Sequence, residues 1–70
     1  MNINSQILVT ARHLRTGDLL VGSGFRVTHG AYTSVRCPKG KVHVEGRYPG
    51  KRAKVATWNA NTTLMVVREN

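Results

Sequence analysis

The feature that most constrains this chain is the rhythm of its apolar residues, which is short and alternating along the sequence. No window of eleven or more residues keeps apolar positions three and four apart, the spacing an amphipathic helix requires. The segment Lys41–Tyr48 shows the alternative most clearly. In an extended chain Val42, Val44, Gly46 and Tyr48 fall on one face, and Lys41, His43, Glu45 and Arg47 on the other. Further strands are expected at Gln6–Thr10, Asp18–Val21, Phe25–His29, Thr33–Cys37, Ala53–Trp58 and Leu64–Arg68, most of them holding β-branched or aromatic residues. Turn-forming sequences separate them: Gly22-Ser23-Gly24, Pro38-Lys39-Gly40, Pro49-Gly50 and Asn59-Ala60-Asn61. Ala11–Gly17, with Leu14 its one large apolar residue, reads as a single helical or 3-10 turn. The fold class is all-β.

At 70 residues the chain has room for one domain, spanning 1–70. The expected core is Ile7, Val9, Leu14, Leu20, Phe25, Val27, Val35, Val42, Val44, Val55, Leu64 and Val66. Gly46, on the apolar face in mid-strand, predicts a bulge or a close approach where the sheet bends sharply. An open sheet of this size would leave sticky edges, so the expected architecture is a small antiparallel barrel of five to seven short strands, closed or nearly so.

Charge narrows the function. Eleven Lys and Arg face three Asp and Glu, giving a formal net charge of +8. Seven of the eleven cations, Arg36, Lys39, Lys41, Arg47, Lys51, Arg52 and Lys54, fall within one segment opposed by Glu45 alone. Strand pairing around Pro49-Gly50 is expected to align Lys41 and Arg47 with the loop cations Lys51 and Arg52 in a stripe able to follow a phosphate backbone. Tyr48, Trp58 and Tyr32 are candidates for stacking on exposed bases, although Tyr48 and Trp58 also suit the ends of the core. The predicted nucleic-acid-binding residues are Arg36, Lys39, Lys41, Arg47, Tyr48, Lys51, Arg52 and Lys54.

Catalysis is not expected. The carboxylates Asp18, Glu45 and Glu69 fall on a turn, an outward strand face and the C-terminal end, where no two can cooperate. Cys37 with His13, His29 or His43 has no nucleophile–base spacing and no paired metal-ligand motif, so neither a catalytic centre, a metal site nor a cofactor is expected. Gly22-Ser23-Gly24 lacks the Gly-Lys-Ser/Thr and the helix of a phosphate-binding loop. With Cys37 alone there is no internal disulfide, and the apolar runs Ile7-Leu8-Val9 and Leu19-Leu20-Val21 are too short to span a bilayer. A reducing, cytoplasmic setting without membrane insertion is expected.

The run Val9-Thr10-Ala11-Arg12-His13-Leu14-Arg15-Thr16-Gly17-Asp18-Leu19-Leu20, followed by Gly22-Ser23-Gly24-Phe25-Arg26-Val27, resembles the opening of SH3-like small barrels. It is similar in particular to the KOW-type N-terminal domain of elongation factor P and related translation proteins. The resemblance implies that Leu14 plugs one end of a barrel and that Gly17 and Asp18 launch a strand. It ends at Val27, carries no active-site residue and leans toward RNA as the partner. Hint protein-splicing domains open in a similar way, but they need a nucleophile at their first residue, and Cys37 lies in mid-chain. The short, basic, single-domain format also resembles small bacteriophage proteins.

The expected function is a nucleic-acid-binding small β-barrel that contacts DNA or RNA phosphates with low sequence preference. The alternative is a protein-interaction module, such as a phage-type host-modulating factor, docking on an acidic partner surface through the same stripe or by strand addition, and able to self-associate.

Overall fold

The computed structural model describes residues 4–69. It contains β1 (Asn4–Thr10), a 3-10 turn (Ala11–His13), β2 (Leu19–Leu20), β3 (Arg26–Tyr32), β4 (Lys41–Arg47), β5 (Lys54–Asn59) and β6 (Thr63–Glu69). The strands form one antiparallel sheet in the order β1-β6-β2-β3-β4-β5. The all-β reading holds, and helix among the described residues is confined to one 3-10 turn, shorter than the Ala11–Gly17 segment expected.

The sheet is strongly curled. β5 and β6 lie four places apart in it, roughly 19 Å in a flat sheet at about 4.8 Å per strand. They are nevertheless joined by Ala60, Asn61 and Thr62 alone, and four Cα steps of 3.80 Å reach about 15 Å at most. Backbone hydrogen bonds gather the strand ends around this turn: Ala60 N–H to Gly40 C=O at 2.9 Å, Ala11 N–H to Thr62 C=O at 2.8 Å, and Arg12 N–H to Ala60 C=O at 3.2 Å. The sheet is not closed, however, and β1 and β5 remain its edges. The expectation that closure removes the edges is corrected on this point, because neither edge strand hydrogen-bonds to the other.

Inside the curl, Ala11, Leu14, Leu20, Phe25, Val27, Val42, Val44, Ala60 and Val66 are buried, with Ile7, Val9 and Leu64 packed against them. Two expected core residues are not there. Thr33–Cys37 is no strand but part of the β3–β4 loop, and Val35 in it is fully exposed. Val55 is 50% exposed, because its register partner is Glu45, on the outward face of β4. Gly46 does mark a close approach. A Cβ there would lie 2.3 Å from the Arg26 carbonyl oxygen and 2.6 Å from the Phe25 ring, so the largest core side chain fits only because residue 46 has none.

One corner is held by charge. Asp18, 1% exposed, accepts a hydrogen bond from the Arg15 amide at 2.9 Å. It also takes a two-pronged bond from Arg68, Nε to Oδ1 at 2.8 Å and Nη2 to Oδ2 at 2.7 Å. This ties β6 to the segment entering β2. Burial by itself would raise the Asp18 carboxyl, but the bonds from Arg68 and the Arg15 amide outweigh it and hold the pKa below the ordinary value.

Candidate nucleic-acid interface

The site is built on the outward face of β4. Val42, Val44 and Gly46 are buried, while Lys41 and Arg47 are exposed and His43 and Glu45 half-buried on the opposite side. Six residue steps separate Lys41 from Arg47, about 20 Å in an extended strand. The predicted residues therefore fall into two groups instead of one continuous stripe. Arg36 and Lys39, exposed in the β3–β4 loop, stand with Lys41 at the start of β4. Arg47, Tyr48, Lys51, Arg52 and Lys54 gather at its end, in the β4–β5 loop and at the start of β5.

The second group gains a residue that the sequence reading missed. Arg26, in β3, stands directly opposite Arg47 in the β3–β4 register. The two arginines, with Leu19, Tyr48, Pro49 and Gly50, line a shallow concavity of about 300 Å³. Arg26 is anchored through Nη1, which donates to the Gly17 carbonyl at 2.9 Å. Strand register alone reveals the pairing, since Arg26 and Arg47 lie far apart in the chain. Among the described side chains Asp18–Arg68 is the one ion pair, so neither Arg26 nor Arg47 has an ion-pair partner among them, although Arg26 lines a further concavity with Asp18 and Arg68.

The aromatic candidates separate. Tyr48 packs edge-on against Phe25 with ring centres 5.1 Å apart, and Trp58 does the same at 5.6 Å. Both serve the core at its rim. Lys54 places its ammonium 5.6 Å from the centre of the Tyr48 ring, a cation–π arrangement that occupies that ring. Tyr32 lies elsewhere, on the outward face beside His43. Cys37 donates its thiol hydrogen to the Lys41 carbonyl at 3.1 Å, and among the described residues no three His, Cys, Asp or Glu side chains converge as metal ligands.

A second, larger concavity of about 650 Å³ lies beside the free edge of β1, lined by Leu8, Val9, Thr10, Arg12, His13, Leu14, Arg15 and Arg68. Arg68 is already committed to Asp18, and Arg12 bonds to the Asn61 side chain. Comparison with protein-family models, curated proteins and solved structures finds no match to this chain.

Proposed function

We infer that this chain is a non-enzymatic nucleic-acid-binding module, an SH3-like small barrel left open at one seam, that holds phosphate groups at the end of β4 with little regard to base sequence. The observation that carries this reading is the Arg26–Arg47 pair. Like charges set directly opposite on neighbouring strands destabilise a sheet, and the one ion pair among the described side chains, Asp18–Arg68, involves neither arginine. An anion bridging the two guanidinium groups removes the repulsion, and a phosphate matches their planar donors. Lys51 and Arg52, exposed in the adjoining loop, extend the same positive field. The curled sheet and short 3-10 turn support the barrel comparison, which leans toward RNA without separating it from DNA.

Fluorescence polarisation with labelled duplex DNA, single-stranded DNA and RNA at 50 and 300 mM salt tests the reading. Affinity is expected to fall steeply with salt, with a log–log slope of roughly −5 to −6 on duplex if five to seven phosphates are neutralised. Charge reversal at Lys51 and Arg52 should weaken binding without unfolding the domain. Absence of binding at micromolar protein in low salt would sink it.

A second reading is favoured by one specific observation. Among the described residues no strand pairs with the outer edge of β1, Leu8 on it is 65% exposed, and Arg12 and Arg15 border the concavity alongside. An extended acidic segment of a partner protein, added as a further strand, fits that edge. Among the described residues no helix is long and apolar enough to cross a membrane.

A further inference from the structure

We propose that the outward face of β3, β4 and β5 seats an unpaired strand of nucleic acid, its bases on a row of three rings, His29, Tyr32 and His43, and its phosphates on the cations at the two ends of β4. This rests on the polyanion-binding reading above and names the form of polyanion that the face accepts.

The row exists because β3 is irregular. In an unbroken strand His29 and Tyr32, three residues apart, point to opposite faces. Two register shifts interrupt the pairing with β4, one between Val27 and His29 and one between His29 and Tyr32. Each adds a residue to β3, and bulges of this kind re-aim side chains. His29 comes to stand opposite Glu45, and Tyr32 opposite His43. Ring centres lie 4.9 Å apart for His29–Tyr32, edge to face at 79°, and 5.4 Å for Tyr32–His43, tilted at 51°, so each ring offers a base its own face and the three do not form one flat platform. The second irregularity spans Gly30, where a Cβ would come within 2.8 Å of the Leu14 carbonyl oxygen. The Ala31 amide donates to that same oxygen at 3.1 Å, so contact with the segment after the 3-10 turn fixes the bend that assembles the rings.

The His43 ring is held from both sides. One nitrogen is hydrogen-bonded to the Ser34 hydroxyl at 3.1 Å and the other to the Thr57 hydroxyl at 2.9 Å. Both polar atoms are thus occupied by the protein, so His43 would meet a ligand through its ring surface beside Tyr32 and not through a hydrogen bond.

The order of chemistry along β4 selects for an unpaired strand. From Lys41 the outward face runs through His43 with Tyr32, then Glu45 with His29, then Arg47 with Arg26. Cations stand only at the ends, and the middle carries rings and one carboxylate. Duplex DNA bears a charge about every 1.7 Å of its axis, so a duplex laid along β4 sets phosphates against Glu45 and gains nothing from the rings. An unpaired strand can turn its bases inward over the rings, set the phosphates that reach the two ends of β4 on the cations there, and leave the phosphates between them turned to solvent. Glu45 can then accept a hydrogen bond from a base amine freed from pairing.

The test compares a labelled twelve-nucleotide single-stranded DNA, the RNA of the same sequence and the matching duplex at about 50 mM salt, using the full chain and the variants Tyr32→Ala, Tyr32→Phe and His29→Ala. At least one single strand is expected to bind about tenfold more tightly than duplex, and Tyr32→Ala to lose about tenfold on that strand, within the range of one base–aromatic stack. Tyr32→Phe should retain the affinity, and duplex binding should not respond to either change. The DNA and RNA arms report whether the 2′-hydroxyl contributes. Ring-proton shifts of His29, Tyr32 and His43 on titration of the unsubstituted protein supply a readout independent of variant folding. Equal binding of all three nucleic acids with no ring shifts would overturn the stacking proposal and leave phosphate binding standing. No binding by any of them would remove both.

Discussion

Two arginine sites in this small domain use the same guanidinium chemistry to opposite ends. At the Asp18 corner, Arg68 is matched by a buried carboxylate and joins β6 to the entry of β2. At the end of β4, Arg26 and Arg47 stand opposite each other in the strand register, Arg26 reaching to the Gly17 carbonyl beside Asp18, and among the described side chains no acid forms an ion pair with either. The contrast teaches how to separate charge that builds the fold from charge held for a partner. The first is paired, buried and directional; the second is exposed and, on the proposed reading, costs stability until an anion arrives.

The sharpest way to break the comparison is to remove the buried partner. Asp18→Ala deprives the Arg15 amide and the Arg68 guanidinium of their acceptor, and the expected loss is about 2–4 kcal/mol, larger than a surface ion pair would give. Chemical denaturation measures it. The folded fraction of the variant should bind nucleic acid as the parent does. A loss within about 0.5 kcal/mol would place this corner among ordinary surface contacts.

Acid titration probes the same corner without emptying it. Asp18 has its pKa lowered from 3.8 in the folded chain, so below that value the unfolded chain takes up the proton first. The stabilisation is fully present above about pH 5 and is lost as pH falls through the folded value. Asp18→Asn should lower stability at neutral pH and flatten this part of the acid limb. An unchanged limb would assign the acid sensitivity to other groups.

How much of this contrast was legible in the sequence depends on the period of each strand. The two-residue alternation of Lys41–Arg47 is unbroken, so the sequence reading correctly placed Lys41 and Arg47 on one outward face and Gly46 against the core. β3 defeats the same reading: two bulges shift its period, carry it through Gly30 to Tyr32 and bring His29 beside Tyr32. The β-branched Thr33 and Val35 suggested a strand, but they follow the true end of β3 and lie in a loop. The charge cluster was visible in composition, yet its division into two ends about 20 Å apart follows from strand length, and the arrival of Arg26 follows from register. Local periodicity yields faces; long-range pairing yields neighbours, and the candidate site depends on neighbours.

At the unpaired end, the double charge reversal Arg26→Glu with Arg47→Glu should weaken nucleic-acid binding by about tenfold or more. It should also reduce the magnitude of the salt slope by about 2, one unit for each phosphate no longer neutralised. Thermal unfolding should show no comparable loss of stability. Retained affinity with an unchanged slope would move the phosphate-binding groups to the other end of β4 or to the concavity beside β1.

The smallest effect is the most discriminating, because its sign is the opposite of what truncating a surface side chain normally brings. Arg47→Gln keeps a long polar side chain on the outward face but removes one of two like charges that stand directly opposite each other. Relief of such a cross-strand repulsion is worth about 0.2–1 kcal/mol, so the variant should be slightly more stable than the parent at low salt. The gain should shrink as added salt screens the repulsion. In the same variant the salt slope for nucleic-acid binding should fall by about one unit. A side chain whose removal strengthens the fold and weakens binding is maintained for the partner. If Arg47→Gln instead lowered stability by an amount insensitive to salt, Arg47 would belong with Arg68 among the arginines that build the domain, and the division between the two sites would fail.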